Sequence, residues 1–97
     1  MKHTNELMLM IARFLHGELD AEAFSFEFPA RLAEVFDAFM AENAALSDYL
    51  EDEMPELCAA FDPHGTGEGG TLDEARFRVR VMEVYQKALS LSMRPAS

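Results

Sequence analysis

The sequence predicts an all-α fold, a compact antiparallel four-helix bundle. Apolar residues recur at three- and four-residue spacing through several long stretches, the period of a helix with one buried face. Capping residues and turn formers fall between those stretches. The connections are short, which forces sequential helices to lie antiparallel. At 97 residues and 49% apolar content the chain suits one domain with one continuous core. Eight Phe and seven Met supply much of its volume. The domain is expected to span residues 1–97, with its core in about 4–91 and a flexible C-terminal tail around Pro95.

The first helix is expected over residues 4–16, capped by Thr4 with Glu6 in its first turn. Leu7, Met10, Ile11 and Phe14 give it an apolar face, and Gly17 suits its stop. A second helical region opens at Asp20, a good cap, with Glu22 next to it. Phe24-Ser25-Phe26-Glu27-Phe28 alternates like a strand, but the run is short and helix formers surround it. Pro29 disfavours helical angles at Phe28, so a kink or break is expected there, with the helix resuming at Pro29 or Ala30. Leu32, Val35, Phe36, Phe39 and Met40 carry it to about Asn43. Ser47 is the expected cap of the third helix, followed by Leu50, Met54, Leu57 and Phe61. Pro55 either kinks that helix or moves its start towards Met54.

Four of the five glycines fall in residues 62–70, Asp-Pro-His-Gly-Thr-Gly-Glu-Gly-Gly, which predicts a mobile loop. Thr71 and Glu74 form a capping box for the last helix. Phe77, Val81, Val84, Tyr85 and Ala88 are its core residues, and it runs to about Leu91.

Chemistry is sparse. Residues 62–73 have the outline of a calcium loop, with Asp62, Thr66 and Gly67 at the first, fifth and sixth positions. However, His64 and Asp73 occupy the third and twelfth, where carboxylate oxygens and a bidentate Glu belong. The glycine run lacks the lysine of a phosphate loop. His3, His16 and His64 are expected to be solvated. Cys58 cannot form an internal disulfide and reads as a core cysteine. Its neighbours Glu56 and Asp62 would raise a thiol pKa and deter nucleophilic use. Glu53 and Glu56, and Asp52 and Glu56, share helix faces, but the Glu-x-x-His pairs of a di-metal bundle are missing. Neither an enzyme nor a bound cofactor or metal is expected. No signal peptide or membrane span is legible, so the expected location is the cytoplasm.

Charge is the informative feature. Eighteen acidic residues face eight basic ones, a formal net charge of −10. Between Glu18 and Asp62 there are thirteen acidic residues and one base, Arg31. Five carboxylates crowd into nine residues at Asp48, Glu51, Asp52, Glu53 and Glu56. From Thr71 to Ser97 the balance reverses to three acidic and five basic. Arg76 is expected to sit near Glu74 or to reach the acidic helices. Such a surface repels nucleic acid and attracts basic proteins. It also imitates the phosphates a basic nuclease recognises.

Three segments resemble the colicin D immunity protein family, small helical inhibitors of transfer-RNA-cleaving toxins that include contact-dependent toxin immunity proteins. They are Ile11-Ala12-Arg13-Phe14-Leu15 through Gly17 with Ala21 and Phe24, then Leu57 through Phe61-Asp62-Pro63, and Leu72-Asp73-Glu74 through Phe77-Arg78, Val81 and Leu89. Together they cover about residues 11–89. The resemblance implies a four-helix bundle that occludes a basic nuclease toxin domain with acidic residues. By position it implies Asp62, Asp73 and Glu74 as partner-binding residues. Asp52, Glu53 and Glu56 follow on charge density alone, in a stretch more acidic than the family leads one to expect. The alternative is a helical scaffold or adaptor, self-associating through a Phe/Met face that buries Phe26 or Phe39. A homo-oligomer is compatible with the sequence but not expected.

Overall fold

The computed structural model describes residues 2–62 and 72–92. Four helices follow in chain order: α1 (Lys2–Leu15), α2 (Ala21–Glu42), α3 (Ala44–Ala60) and α4 (Glu74–Ser92). Each packs on its sequence neighbours and α1 closes against α4, so the bundle runs up-down-up-down. Two long-range pairs fix this direction. The start of α1 meets the end of α2 at Thr4 and Glu42. The end of α1 meets the start of α4 at Phe14 and Arg78.

The core repeats each helix's apolar stripe. Leu7, Met8, Ile11 and Phe14 come from α1, and Phe24, Phe28, Leu32, Val35 and Phe39 from α2. Leu46, Leu50, Met54, Leu57 and Cys58 come from α3, and Phe77, Val81, Val84 and Ala88 from α4. At one end five phenylalanines interlock. Phe14 stacks on Phe24 at 4.5 Å, Phe61 stacks on Phe77 at 4.6 Å, and tilted contacts join these pairs and Phe28. Offset and edge contacts of this kind add to the burial of large apolar rings.

The junctions are chemically specific. α1 stops in a Schellman motif: Gly17 N–H donates to Phe14 O, and Glu18 N–H to Arg13 O. Gly17 takes φ +80° there, which a glycine tolerates without strain. Asp20 caps α2 through the N–H groups of Glu22 and Ala23. Past α3, Phe61 and Leu72 form a single parallel bridge, and no strand occurs among the described residues.

Four expectations need correction. Thr4 is not a cap. It lies buried within α1, and its hydroxyl donates to Glu42 of α2 at 2.8 Å. Pro29 does not break its helix; α2 is continuous from Ala21 to Glu42, as α3 is across Pro55. A mid-helix proline costs about 3 kcal/mol, which burial of Phe24, Phe28 and Leu32 on the same helix outweighs. Asn43, not Ser47, caps α3 by accepting from Leu46 N–H, while Ser47 is buried and bonds back to Ala44 O. Asp73 caps α4 by accepting from Arg76 N–H at 2.8 Å, which leaves Glu74 as the first helical residue rather than the third member of a box. Thr71, the glycine-rich stretch after Asp62 and the tail around Pro95 lie outside the described residues.

Candidate functional site

Helical geometry sorts the acidic residues into faces. On α3 the buried row of Leu46, Leu50, Met54 and Leu57 points inward. The opposite ridge carries Asp48, Asp52 and Glu56, exposed and four residues apart. Glu53 lies on the α4 side of that ridge, and exposed Glu51 sits one turn before Pro55 on the other side. On α2, Glu22, Glu27, Glu34 and Asp37 are exposed.

The one base on these helices is consumed locally. Arg31 Nε and Nη2 hold Glu6 of α1 at 2.8 and 3.1 Å, and Nη1 holds Glu34 at 2.8 Å. This fork raises the Arg31 pKa through its hydrogen bond to Glu6 and, reciprocally, lowers that of Glu6. The outer surface of α2 and α3 therefore carries carboxylates with no cation of its own to meet them.

The six candidate partner-binding residues separate by environment. Asp52 stands on the exposed ridge. Glu53 and Glu56 line a groove of about 590 Å³ between α3 and α4, with Leu57, Ala60, Leu72, Ala75 and Val79 as its apolar lining. Arg76 and Arg80 stand in the same groove. Arg76 lines this groove with Glu53 and Glu56 without an ion pair to either, while Arg78 is the residue that pairs with Glu74, at 3.8 Å. Among the described residues Asp52, Glu53 and Glu56 make no ion pair. The Tyr49 hydroxyl in the neighbouring groove has a raised pKa, first from burial and then from the Glu53 and Glu83 charges.

The other three lie at the α3–α4 crossover and serve the fold. Asp62 N–H donates to Leu72 O at 2.7 Å. The Asp73 carboxylate caps α4, and Glu74 opens that helix beside Arg78. The structure thus gathers Glu53 and Glu56 into one groove, leaves Asp52 on the ridge beside it, and sets Asp62, Asp73 and Glu74 apart.

A second groove, about 460 Å³, lies between α2 and α3. Glu22, Ser25, Phe26, Pro29, Pro55, Cys58, Ala59 and Phe61 line it. Phe26 is 74% exposed, the most exposed large apolar side chain described. Of the two phenylalanines offered for a self-association face, Phe26 or Phe39, Phe39 is fully buried in the core and cannot serve one. The signal for the groove was present in the sequence: two prolines inside helical periods.

Cys58 is buried, and burial pushes its thiol pKa up to about 12. The cause is desolvation rather than its acidic neighbours. His3 is not simply solvated: it lies within α1, its Nδ1 3.5 Å from Glu6 Oε1. Among the described residues no group of three or more His, Cys, Asp or Glu side chains is placed to hold a metal ion. No helix among them is long and apolar enough to cross a membrane. Comparison with protein-family models, with curated proteins and with solved structures finds no match to this chain.

Proposed function

We propose that the protein is a non-catalytic inhibitor, an immunity protein that binds a basic nuclease toxin domain stoichiometrically in the cytoplasm and covers its active site. The observation that carries this reading is the cation-free acidic surface of α2 and α3, whose sole base, Arg31, is occupied by Glu6 and Glu34. A nuclease cleft is lined with cations for its substrate's phosphates. A rigid array of carboxylates can occupy the same positions without offering a bond to cleave. The transfer-RNA-cleaving class of toxin comes from the resemblance to the colicin D immunity family in segments of α1, α3 and α4.

Opposite fields of this kind accelerate encounter, and salt screens them over roughly 8–10 Å. The test is association of the protein with the toxin candidate encoded beside its gene, at two salt concentrations, for the parent, Asp52→Asn and Glu56→Gln. These substitutions preserve shape and remove one charge each. Association is expected to slow with salt and in both variants, and the toxin's transfer-RNA cleavage is expected to stop at one equivalent. Salt-independent association, with neither variant weaker than the parent, overturns the acidic-surface mechanism.

A further inference from the structure

The groove between α2 and α3 has a chemistry distinct from the rest of the surface. It contains both helix-interior prolines of the described chain, Pro29 on α2 and Pro55 on α3. Each proline lacks an N–H and removes the helix's own donor for the carbonyl four residues earlier. Those carbonyls belong to Ser25, which lines the groove, and Glu51, one turn before Pro55. The Ser25 hydroxyl is already spent on Glu22 O at 2.7 Å. No lysine, arginine, asparagine, glutamine or histidine lines the groove. Its polar lining is therefore rich in acceptors and poor in donors, with the Glu22 carboxylate at one end. Exposed Glu51 and Asp52 lie one turn before Pro55, and Asp48 a turn earlier.

The apolar part is also specific. Phe26 is largely exposed in a groove that Pro29, Pro55, Ala59 and Phe61 also line. An aromatic residue over a mainly apolar depression, ringed by polar residues, has the make-up of an interface hot spot. A second copy of this chain fits poorly, because it would bring the same carboxylates against these. A donor-rich, cationic surface with an apolar side chain at its centre fits both the acceptors and the depression.

We propose that the α2/α3 groove is the docking seat for the protein partner, which inserts an apolar side chain beside Phe26 between Pro29 and Pro55 while its lysines and arginines meet Glu22, Glu51 and Asp52. The partner's basic character rests on the reading given above; the location and the apolar anchor go beyond it. The seat excludes the mixed-charge α3/α4 groove, where Arg76 and Arg80 would repel a cationic surface.

The test uses the full chain, isotopically labelled for NMR, and a short lysine- and arginine-rich peptide with a central leucine. Control peptides replace the leucine by serine or the basic residues by glutamate. Amide shifts are expected to concentrate at Ser25, Phe26, Cys58 and Ala59, and the controls are expected to lose them. Phe26→Ala should weaken the peptide by about tenfold or more. Ala59→Arg, which fills the groove from the other helix and sets a cation against the partner's own, should do the same. Circular dichroism checks that both remain folded, as exposed positions should allow. Shifts confined to the α3/α4 groove, or unaffected by both variants, overturn the proposal. A dimer at low salt that moves the same amides overturns it too, in favour of a second copy. If a basic toxin binds the parent and both variants equally, this inference fails while the inhibitor reading stands. If no toxin binds but the peptide seats as described, the inhibitor reading fails instead.

Discussion

The Glu42 carboxylate closes the start of α1 from another helix. One oxygen accepts from both the N–H and the hydroxyl of Thr4, each at 2.8 Å, and the other accepts from His3 N–H at 3.0 Å. The cap is supplied from 38 residues away instead of from the residue preceding the helix. It also sets a negative charge at the positive end of the α1 dipole.

Replacing Glu42 by Ala should therefore cost about 1–2 kcal/mol, the range for losing a helix cap, read as a lower urea midpoint with unchanged slope. The same residue gives an acid signature. Burial works to raise its pKa, but the donors of Thr4 and His3 prevail and lower it from 4.5 to about 2. Its contribution is then complete above about pH 4.5 and is lost as pH falls towards 2. Glu42→Gln should flatten the loss of stability across that window. A parallel acid limb in parent and variant would show that the carboxylate does not hold the helix.

Arg78 does the converse at the other end of α1. Its Nη1 donates to Phe14 O at 2.8 Å and lies 3.4 Å from Leu15 O, and its guanidinium sits 4.6 Å from the Phe14 ring centre. Arg78→Met should cost about 1–3 kcal/mol, since it abandons charge-assisted bonds to carbonyls at a helix end. Arg78→Lys should recover only part of that loss, because an ammonium cannot both fork to two carbonyls and lie flat on the ring. Thermal denaturation of the pair gives the ranking.

Pro29→Ala and Pro55→Ala should each stabilise the isolated protein by about 1 kcal/mol. The gain is the restored helical hydrogen bond, less the freedom returned to the unfolded chain. Both variants should also bind a partner less well if the groove is its seat. A lower melting temperature for both would mean that each ring makes packing contacts worth more than the bond it forbids.

Cys58 should react with a neutral alkylating reagent at least about tenfold more slowly in the native protein than in urea, because burial suppresses the thiolate. Equal rates, followed by mass spectrometry at pH 8, would indicate that α3 opens readily at its C-terminal half.

The sequence carried the parts of this fold that depend on local periodicity. The stripes of Leu7, Ile11 and Phe14, of Leu32, Val35 and Phe39, and of Phe77, Val81 and Val84 are the core that forms. It failed where a distant partner decides. Thr4 looks like a cap when only its neighbours are considered, because Glu42 is nowhere near it in the chain. Pro29 looks like a break because its cost is local, while the burial that offsets it comes from three other helices. For the surface, charge density found Asp52, Glu53 and Glu56 but could not tell the α4 side of α3 from the α2 side. At the α3–α4 crossover the sequence placed Glu74 at the start of the last helix, but Asp73 could not be recognised as the cap of that helix without Arg76 N–H beside it.

For a nascent chain, the clamps on α1 have a consequence in time. A helix of 14 residues is marginal alone in water. Its C-terminal clamp, Arg78, lies 64 residues beyond Phe14, so roughly 3–13 s of synthesis separate the two at about 5–20 residues per second. During that interval α1 has its own turn at Gly17, and Glu42 becomes available to hold its start once α2 is made, but its C-terminal end is not held. The two ends of α1 are therefore secured in sequence, the first by α2 and the second only when the start of α4 has been made, so a chain halted before Arg78 keeps the last turn of its first helix unclamped.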